Sequence, residues 1–182
     1  LSLSMLRQAL ADWAQMASLT IEVGDAKVQS LGKRAQIATA IQGPAVVVQT
    51  RFEGKAEAPC FFVFPVALAA TAVGRFVMLP DGEIAAKAAR GLDPTDLEAF
   101  REMANLLCGS SNGVISKMVP GLRLSQSVDA LRVNAAMPDI NARLEDFPEA
   151  DIACVGAEVK AEGQSFTVWQ LLPLAQARAM LA

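Results

Sequence analysis

The stretch EAFREMANLLCG, residues 98–109, decides the fold, because it lies in the one long helix that the sequence indicates clearly. Asp93 and Pro94, which precede it, are a typical helix cap and first helical residue. Asp96 and Glu98 place negative charge near the helix N-terminus, where the helix dipole favours it. Apolar side chains recur at intervals of three and four residues, and so do polar ones, so the stretch predicts an amphipathic helix.

One row of this helix is apolar and another is polar. The apolar row predicts the face that packs on the core, and it comprises Leu97, Phe100, Ala104, Leu107, Ser111, Val114, Ile115 and Met118. The polar row comprises Glu98, Glu102, Asn105, Gly109, Asn112 and Ser116. It presents a carboxylate and a carboxamide one turn apart, beside a glycine without a side chain. This surface predicts contact with another protein at close range.

Gly109 indicates that the polar row is more than a solvated helix face. In most proteins a glutamate and an asparagine one turn apart are simply exposed to water. An exposed glycine in the middle of a helix, however, costs about 1 kcal/mol relative to alanine. Either close packing or room for a partner must therefore favour glycine at this position.

The composition describes a compact globular protein and argues against polyanions as its primary partners. Of its 182 residues, 53% are hydrophobic and 19% are charged, which suits one domain with its own core. The net charge is −3, and no basic cluster occurs along the chain. Nucleic acid and anionic membrane are therefore not the expected partners.

The residue types present exclude several mechanisms. The chain has no histidine, so neither a Ser-His nor a Cys-His pair can form, and no imidazole can bind a metal. Its three cysteines, Cys60, Cys108 and Cys154, are widely spaced and fit neither a disulfide framework nor a zinc site. We therefore predict no metal site and a reducing, cytoplasmic location.

One apolar stretch, residues 58–80, invites comparison with a membrane span. Proline and glycine divide it at Pro59, Pro65, Gly74 and Pro80. A spanning helix needs about 20 consecutive apolar residues without such breaks. The stretch therefore predicts a buried strand followed by a short packed helix.

The order of predicted elements occurs twice along the chain. A helix over residues 2–17, strands near 19–28, 45–51 and 60–64, and a helix over 66–73 form the first half. The long helix, strands near 122–133, 152–159 and 166–171, and a helix over 173–181 repeat that order. Lys-Ala-Glu at 55–57 and at 160–162 supports a duplication. We predict an α+β fold with pseudo-twofold symmetry, one domain over 1–182, and halves at about 1–80 and 93–182.

These features together resemble the CheC, CheX and FliY family of chemotaxis phosphatases. That family carries Glu-x-x-Asn followed by glycine in a long helix, and this chain has Glu102, Asn105 and Gly109 in that pattern. The resemblance extends to the duplicated element order and to the strand beginning Gly121-Leu-Arg-Leu after the helix. It implies a CheC-like fold of helices and antiparallel strands, with the long central helix packed on the sheet.

By the same resemblance, the chain removes phosphate from the phosphorylated aspartate of a CheY-like response regulator. Asn105 would orient the attacking water, because a carboxamide both donates and accepts hydrogen bonds and stays neutral. Glu102 would dock the regulator, and the contact surface would include Glu98, Gly109 and Asn112. The Mg²⁺ would belong to the regulator, so no cofactor of its own is expected. Because CheX-type proteins dimerise, the resemblance also implies a homodimer.

The chain departs from the family pattern at Glu98, where Asp or Ser is usual, and at Val128, where proline is usual. The first half has no Glu-x-x-Asn, so a single-site, CheX-like arrangement fits better than a two-site one. Two alternatives remain open. A catalytically inactive CheC-like module would bind a response regulator or a flagellar switch component without hydrolysis, and a sensing domain would hold a small molecule in an apolar cavity.

Overall fold

The computed structural model describes residues 2–41, 43–127, 129–136, 144, 147 and 151–179. Its helices are α1 (Ser2–Met16), α2 (Arg34–Ala40), α3 (Val66–Phe76), α4 (Asp81–Arg90), α5 (Pro94–Met118) and α6 (Leu174–Ala179). Its strands are β1 (Ile21–Gly32), β2 (Ala45–Gly54), β3 (Ala58–Pro65), β4 (Leu122–Leu124), β5 (Arg132–Ala136), β6 (Ile152–Ala161) and β7 (Gln164–Pro173). Val128, one of the two departures from the family pattern, lies outside the described residues.

One antiparallel sheet runs through both halves in the order β1-β6-β7-β3-β2-β4, and β5 also pairs with β2. The first strand of each half pairs with the hairpin of the other half: β1 pairs with β6, and β4 and β5 pair with successive parts of β2. Exchanging the halves maps this order onto itself, with the β3–β7 pair at the centre. The predicted pseudo-twofold α+β fold is confirmed. The assignment of 1–182 to a single domain stays a prediction.

Helices α1 and α5 pack against each other on one face of the sheet. Trp13 of α1, Phe64 of β3 and Phe100 of α5 are buried there. The ring centroids lie 5.1 Å apart for Trp13 and Phe64 and 5.2 Å apart for Phe64 and Phe100. Each large buried side chain contributes roughly 1.5–3 kcal/mol relative to exposure. This aromatic cluster therefore holds α5 firmly against the sheet.

The opposite face of the sheet has a smaller core that includes Ile37, Ile41, Phe61, Leu144 and Phe147. Helix α2, which supplies Ile37, is absent from the sequence-based prediction. It has only seven residues, too few to establish a helical period. Leu144 and Phe147 lie in the segment over residues 138–151, which the sequence predicts to be a loop because it is acidic and bears proline, and most of this segment lies outside the described residues.

The start of α5 agrees with the prediction from Asp93 and Pro94. Asp93 Oδ1 accepts a hydrogen bond from the Asp96 backbone N–H at 2.9 Å. In return, the Asp93 backbone N–H donates to Asp96 Oδ2 at 3.0 Å. This reciprocal cap satisfies two backbone donors that a helix start otherwise leaves unpaired. The hydrogen bond from the Asp96 N–H also holds the pKa of Asp93 below its usual value.

The buried row of α5 differs in part from the predicted apolar row. The buried residues of this helix are Asp96, Phe100, Met103, Ala104, Leu107, Cys108, Ser111 and Ile115. The prediction that Met118 belongs to the buried row is wrong, since Met118 is 51% exposed. It is the last residue of α5 and follows the last buried one, Ile115. Leu97 and Val114 are half-buried at the edge of the core.

The apolar stretch 58–80 folds as predicted into separate elements. It forms β3 and then α3, and Pro65 lies at their junction. Within the described ranges, no helix is both long enough and apolar enough to cross a membrane.

Candidate functional site

The polar row of α5 faces away from the core and begins with two exposed carboxylates, Glu98 and Glu102. Arg101 Nη1 donates to Glu98 Oε2 at 3.3 Å, a surface ion pair of the kind that contributes about 0–1 kcal/mol. Glu102 makes no hydrogen bond or ion pair with any residue in the described part of the chain. Its carboxylate is therefore available to another molecule.

Asn105 lies one turn after Glu102 and is half-buried. Its Oδ1 accepts a hydrogen bond from Gln126 Nε2 at 3.0 Å. The same Nε2 also donates to the Asn105 backbone oxygen at 2.9 Å. No described residue accepts a hydrogen bond from Asn105 Nδ2. The structure therefore brings Glu102 and Asn105 together at the surface and adds Gln126 to them.

Sequence reasoning missed Gln126 because it lies 21 positions after Asn105 and belongs to no motif. The one available signal was its place two residues after Leu124, within the strand region predicted near residues 122–133. Gln126 is exposed, so its contact with Asn105 leaves the surface open to solvent.

Asn112, predicted to contact a partner, uses its carboxamide within the chain. The Leu124 backbone N–H donates to Asn112 Oδ1 at 2.6 Å, and Asn112 Nδ2 donates to the Leu124 backbone oxygen at 3.0 Å. One side chain on α5 thereby satisfies both backbone groups of a residue in β4. Asn112 is half-buried, and a contact between its remaining surface and a partner stays a prediction.

The segment after β4 is also held from the side of β2. Thr50 Oγ1 donates to the Ser125 backbone oxygen at 2.8 Å. The Ser125 backbone N–H donates to the Arg51 backbone oxygen at 2.8 Å. Residues 124 and 125 are thus fixed between α5 and β2, and the next residue along the chain is Gln126.

Gly109 explains how Gln126 reaches Asn105. A Cβ atom added at Gly109 would lie 3.3 Å from Gln126 Nε2, closer than an ordinary van der Waals contact. The glycine therefore leaves room for the Gln126 side chain to cross α5. Of the two explanations drawn from the sequence, the structure supports close packing, and a contact between Gly109 and a partner stays a prediction.

Replacing Gly113 with alanine is expected to raise the free energy of unfolding by about 1 kcal/mol. The added Cβ meets nothing within 4 Å, so only the gain in helix propensity remains. Gly109→Ala, one turn earlier, is expected to gain less because its Cβ would press on Gln126. Urea unfolding of the two variants measures this difference. Equal gains would argue against a tight contact between Gly109 and Gln126.

Among the described residues, the cysteines and carboxylates supply no second reactive centre. Cys60, Cys108 and Cys154 are free thiols in the core, and burial raises the pKa of Cys108 to about 12 and that of Cys154 to about 12. Cys108 therefore packs as an inert apolar residue. In the part of the chain that the structure describes, no three side chains of Cys, Asp or Glu come together as they would around a metal ion.

In the first half, the surface beside α1 carries other polar side chains than the α5 surface does. A cleft of about 760 Å³ runs between α1 and β1, open to solvent, and Arg7, Gln8 and Gln15 contribute to its lining. Gln8 Nε2 donates to Asp12 Oδ1 at 2.8 Å, and Asp12 also accepts a hydrogen bond from Ser110 of α5. An open, partly polar cleft is not the enclosed apolar cavity that the small-molecule hypothesis requires.

Comparisons with known proteins give a consistent fold. No family model matches the chain, and no curated protein does either. Among solved structures, FliY of Thermotoga maritima is similar with a TM-score of 0.76 and 19% identity, covering 97% of this chain and 88% of FliY. CheX of Vibrio vulnificus is similar with a TM-score of 0.62 and 10% identity, covering 93% of this chain and 99% of CheX.

FliM from H. pylori, in a complex with SpeE, is similar with a TM-score of 0.71 and 9% identity, covering 98% of this chain and 86% of FliM. The fold that the Glu-x-x-Asn resemblance implied is therefore confirmed over nearly the whole chain. At these identities the similarity establishes the architecture, and the activity has to be argued from the α5 surface.

Proposed function

We propose that this chain is a phosphatase that acts on the aspartyl phosphate of a CheY-like response regulator. One observation carries the proposal: α5 presents the half-buried Asn105 carboxamide, with no described acceptor for Nδ2, one turn from the exposed Glu102, which pairs with no described residue. Because α5 is packed on the aromatic cluster, the backbone positions that carry these two side chains are fixed relative to each other. A phosphoaspartate pocket approaching this surface would meet both.

The chemistry requires little beyond positioning. A water oxygen attacks the phosphorus atom, and the bond from phosphorus to the regulator's aspartate oxygen breaks with its electron pair on the carboxylate. The products are inorganic phosphate and a free aspartate, and the released water proton passes to phosphate or solvent. Because the acyl phosphate has a good leaving group, the alignment of water is the main contribution left to the protein. Such alignment can lower a barrier by several kcal/mol.

Asn105 is suited to this step and Glu102 to docking. A carboxamide has two N–H donors and an oxygen acceptor, and it does not titrate. It can therefore contact both a water and a phosphoryl oxygen without adding charge beside the anionic phosphate. Glu102, with Glu98 one turn before it, supplies negative charge that a basic side chain of the regulator would contact. The Mg²⁺ of the reaction would be held by the regulator's own acidic pocket.

A second function has a specific observation in its favour. The chain shares its fold with FliM. It is also similar, with a TM-score of 0.60, to the structure of a complex of FliG and FliM from H. pylori. A non-catalytic module would use the same α5 surface to bind a regulator or a flagellar switch component. It would bind without accelerating phosphate loss, so one assay separates the two functions.

The test is to mix substoichiometric protein with phosphorylated response regulators from the same genome and to follow phosphate release. We expect release well above the regulator's own rate for at least one regulator, with several turnovers per protein. Binding of a phosphorylated regulator without faster release would reject the enzymatic function and support the module.

A further inference from the structure

We propose that Gln126 is a positioning residue that sets the orientation of the Asn105 carboxamide. The orientation follows from hydrogen bonding within the chain, while its effect on phosphate release rests on the function proposed above. Gln126 follows β4 and lies outside α5, the helix that carries Glu102 and Asn105. The site therefore includes the segment after β4 as well as α5.

The hydrogen bonds leave a single consistent orientation for Gln126 and Asn105. A backbone carbonyl oxygen only accepts, so the Gln126 atom that lies 2.9 Å from the Asn105 backbone oxygen must be the nitrogen. That nitrogen also lies 3.0 Å from the end of the Asn105 side chain, so the Asn105 atom facing it must be the oxygen, Oδ1. The Asn105 Nδ2 group therefore points away from Gln126.

Gln126 is itself held from both sides. Asn112 is oriented by the Leu124 backbone, because the Leu124 N–H can only donate and its carbonyl can only accept. Asn112 Nδ2 then lies 3.5 Å from Gln126 Oε1, at the outer limit of a hydrogen bond. The three carboxamides of Asn112, Gln126 and Asn105 thus form a row in which each amide nitrogen faces the next oxygen.

This row determines what Asn105 offers to a bound regulator. With one lone pair of Oδ1 engaged, Asn105 keeps both Nδ2 protons and the second Oδ1 lone pair for water or a phosphoryl oxygen. Donation into Oδ1 polarises the carboxamide and strengthens its N–H donors, since hydrogen bonds in a chain reinforce one another. It also restricts rotation of the side chain before the regulator arrives, which reduces the ordering cost of the reaction.

The test compares Gln126→Met, which keeps the length and removes the donor, with Gln126→Glu, which replaces the donor with an acceptor. The Asn105 side-chain amide pair in a ¹⁵N–¹H spectrum is identified by its loss in Asn105→Ala. We expect this pair to shift in both variants, and most in Gln126→Glu because Nδ2 should turn to donate to the new carboxylate. With a phosphorylated regulator, kcat should fall about 10-fold in Gln126→Met at unchanged KM, and further in Gln126→Glu.

Gln164→Met is the matched control, because Gln164 is an exposed glutamine on β7 whose side chain has no polar partner among the described residues. It should change neither the Asn105 resonances nor kcat. An Asn105 amide pair that does not move in either Gln126 variant would overturn the positioning role, and so would a kcat that is unchanged or raised. If the wild-type protein releases no phosphate, the proposed function fails, and the Asn105 resonances still decide whether Gln126 orients that side chain.

Discussion

Asn105→Ala is expected to reduce accelerated phosphate release by about 100-fold or more, the loss seen when a group that aligns or stabilises the reacting atoms is removed. Affinity for the regulator should change little, because Glu102 and the rest of the α5 surface remain. The stability of the fold should also be nearly unchanged, since the Asn105 side chain is half-buried and has one described side-chain partner. Single-turnover phosphate release at saturating protein measures the chemical step separately from binding.

Three further variants make this result specific to the carboxamide. Asn105→Asp keeps the shape of the side chain but places a negative charge beside the phosphate, so it should also be inactive. Glu102→Gln should raise KM more than it lowers kcat, because docking is the role proposed for Glu102. Gln8→Ala, in the first half, should retain full activity, since that half has no Glu-x-x-Asn. Equal release by wild type and Asn105→Ala would reject Asn105 as the catalytic residue.

Lys87→Met is expected to lower the free energy of unfolding by about 3–5 kcal/mol, the usual cost of leaving a buried charge without its partner. Lys87 of α4 and Asp96 of α5 form an ion pair, and both side chains are buried. Asp96 also completes the cap of α5, so the variant would leave its carboxylate buried with only the Asp93 N–H as a described partner. For a protein of this size, the melting temperature should fall by roughly 6–20 °C.

A double variant separates the buried charge from the loss of lysine packing. Lys87→Met with Asp96→Asn removes both charges and keeps an oxygen for the Asp93 N–H, so it should recover much of the lost stability. Lys160→Met is the matched control, because Lys160 lies in an exposed pair with Glu22 at 3.9 Å. Its effect should stay within about 0.5 kcal/mol. A loss of under about 1 kcal/mol in Lys87→Met would contradict the buried pair.

Much of the architecture could be predicted from local patterns. Asp93 and Pro94 predicted the start of α5, and the proline at 65 predicted the junction of β3 and α3. Helix α2 could not be predicted, because a seven-residue helix depends on the sheet it covers more than on its own period. The buried Asp96 was predicted only as a helix-end charge, because its partner Lys87 lies on the preceding helix.

The candidate site could also be predicted only in part from local patterns. Glu102 and Asn105 are one turn apart on any helix formed by this sequence, so their proximity followed from spacing alone. The contact between Gln126 and Asn105 did not, because it depends on β4 lying between β2 and α5. Asn112 was predicted to face a partner, and its bonds to the Leu124 backbone could not be foreseen without the path of the strand.

The sequence by itself determined the long helix, its polar row and the repeated order of elements, because capping and periodicity depend on residues within a few positions of one another. Only the tertiary structure decided the exchange of first strands between the halves, the Lys87–Asp96 pair and the orientation of the Asn105 carboxamide. Each of these joins residues on different elements. Their energies depend on distances that exist only after the sheet has formed.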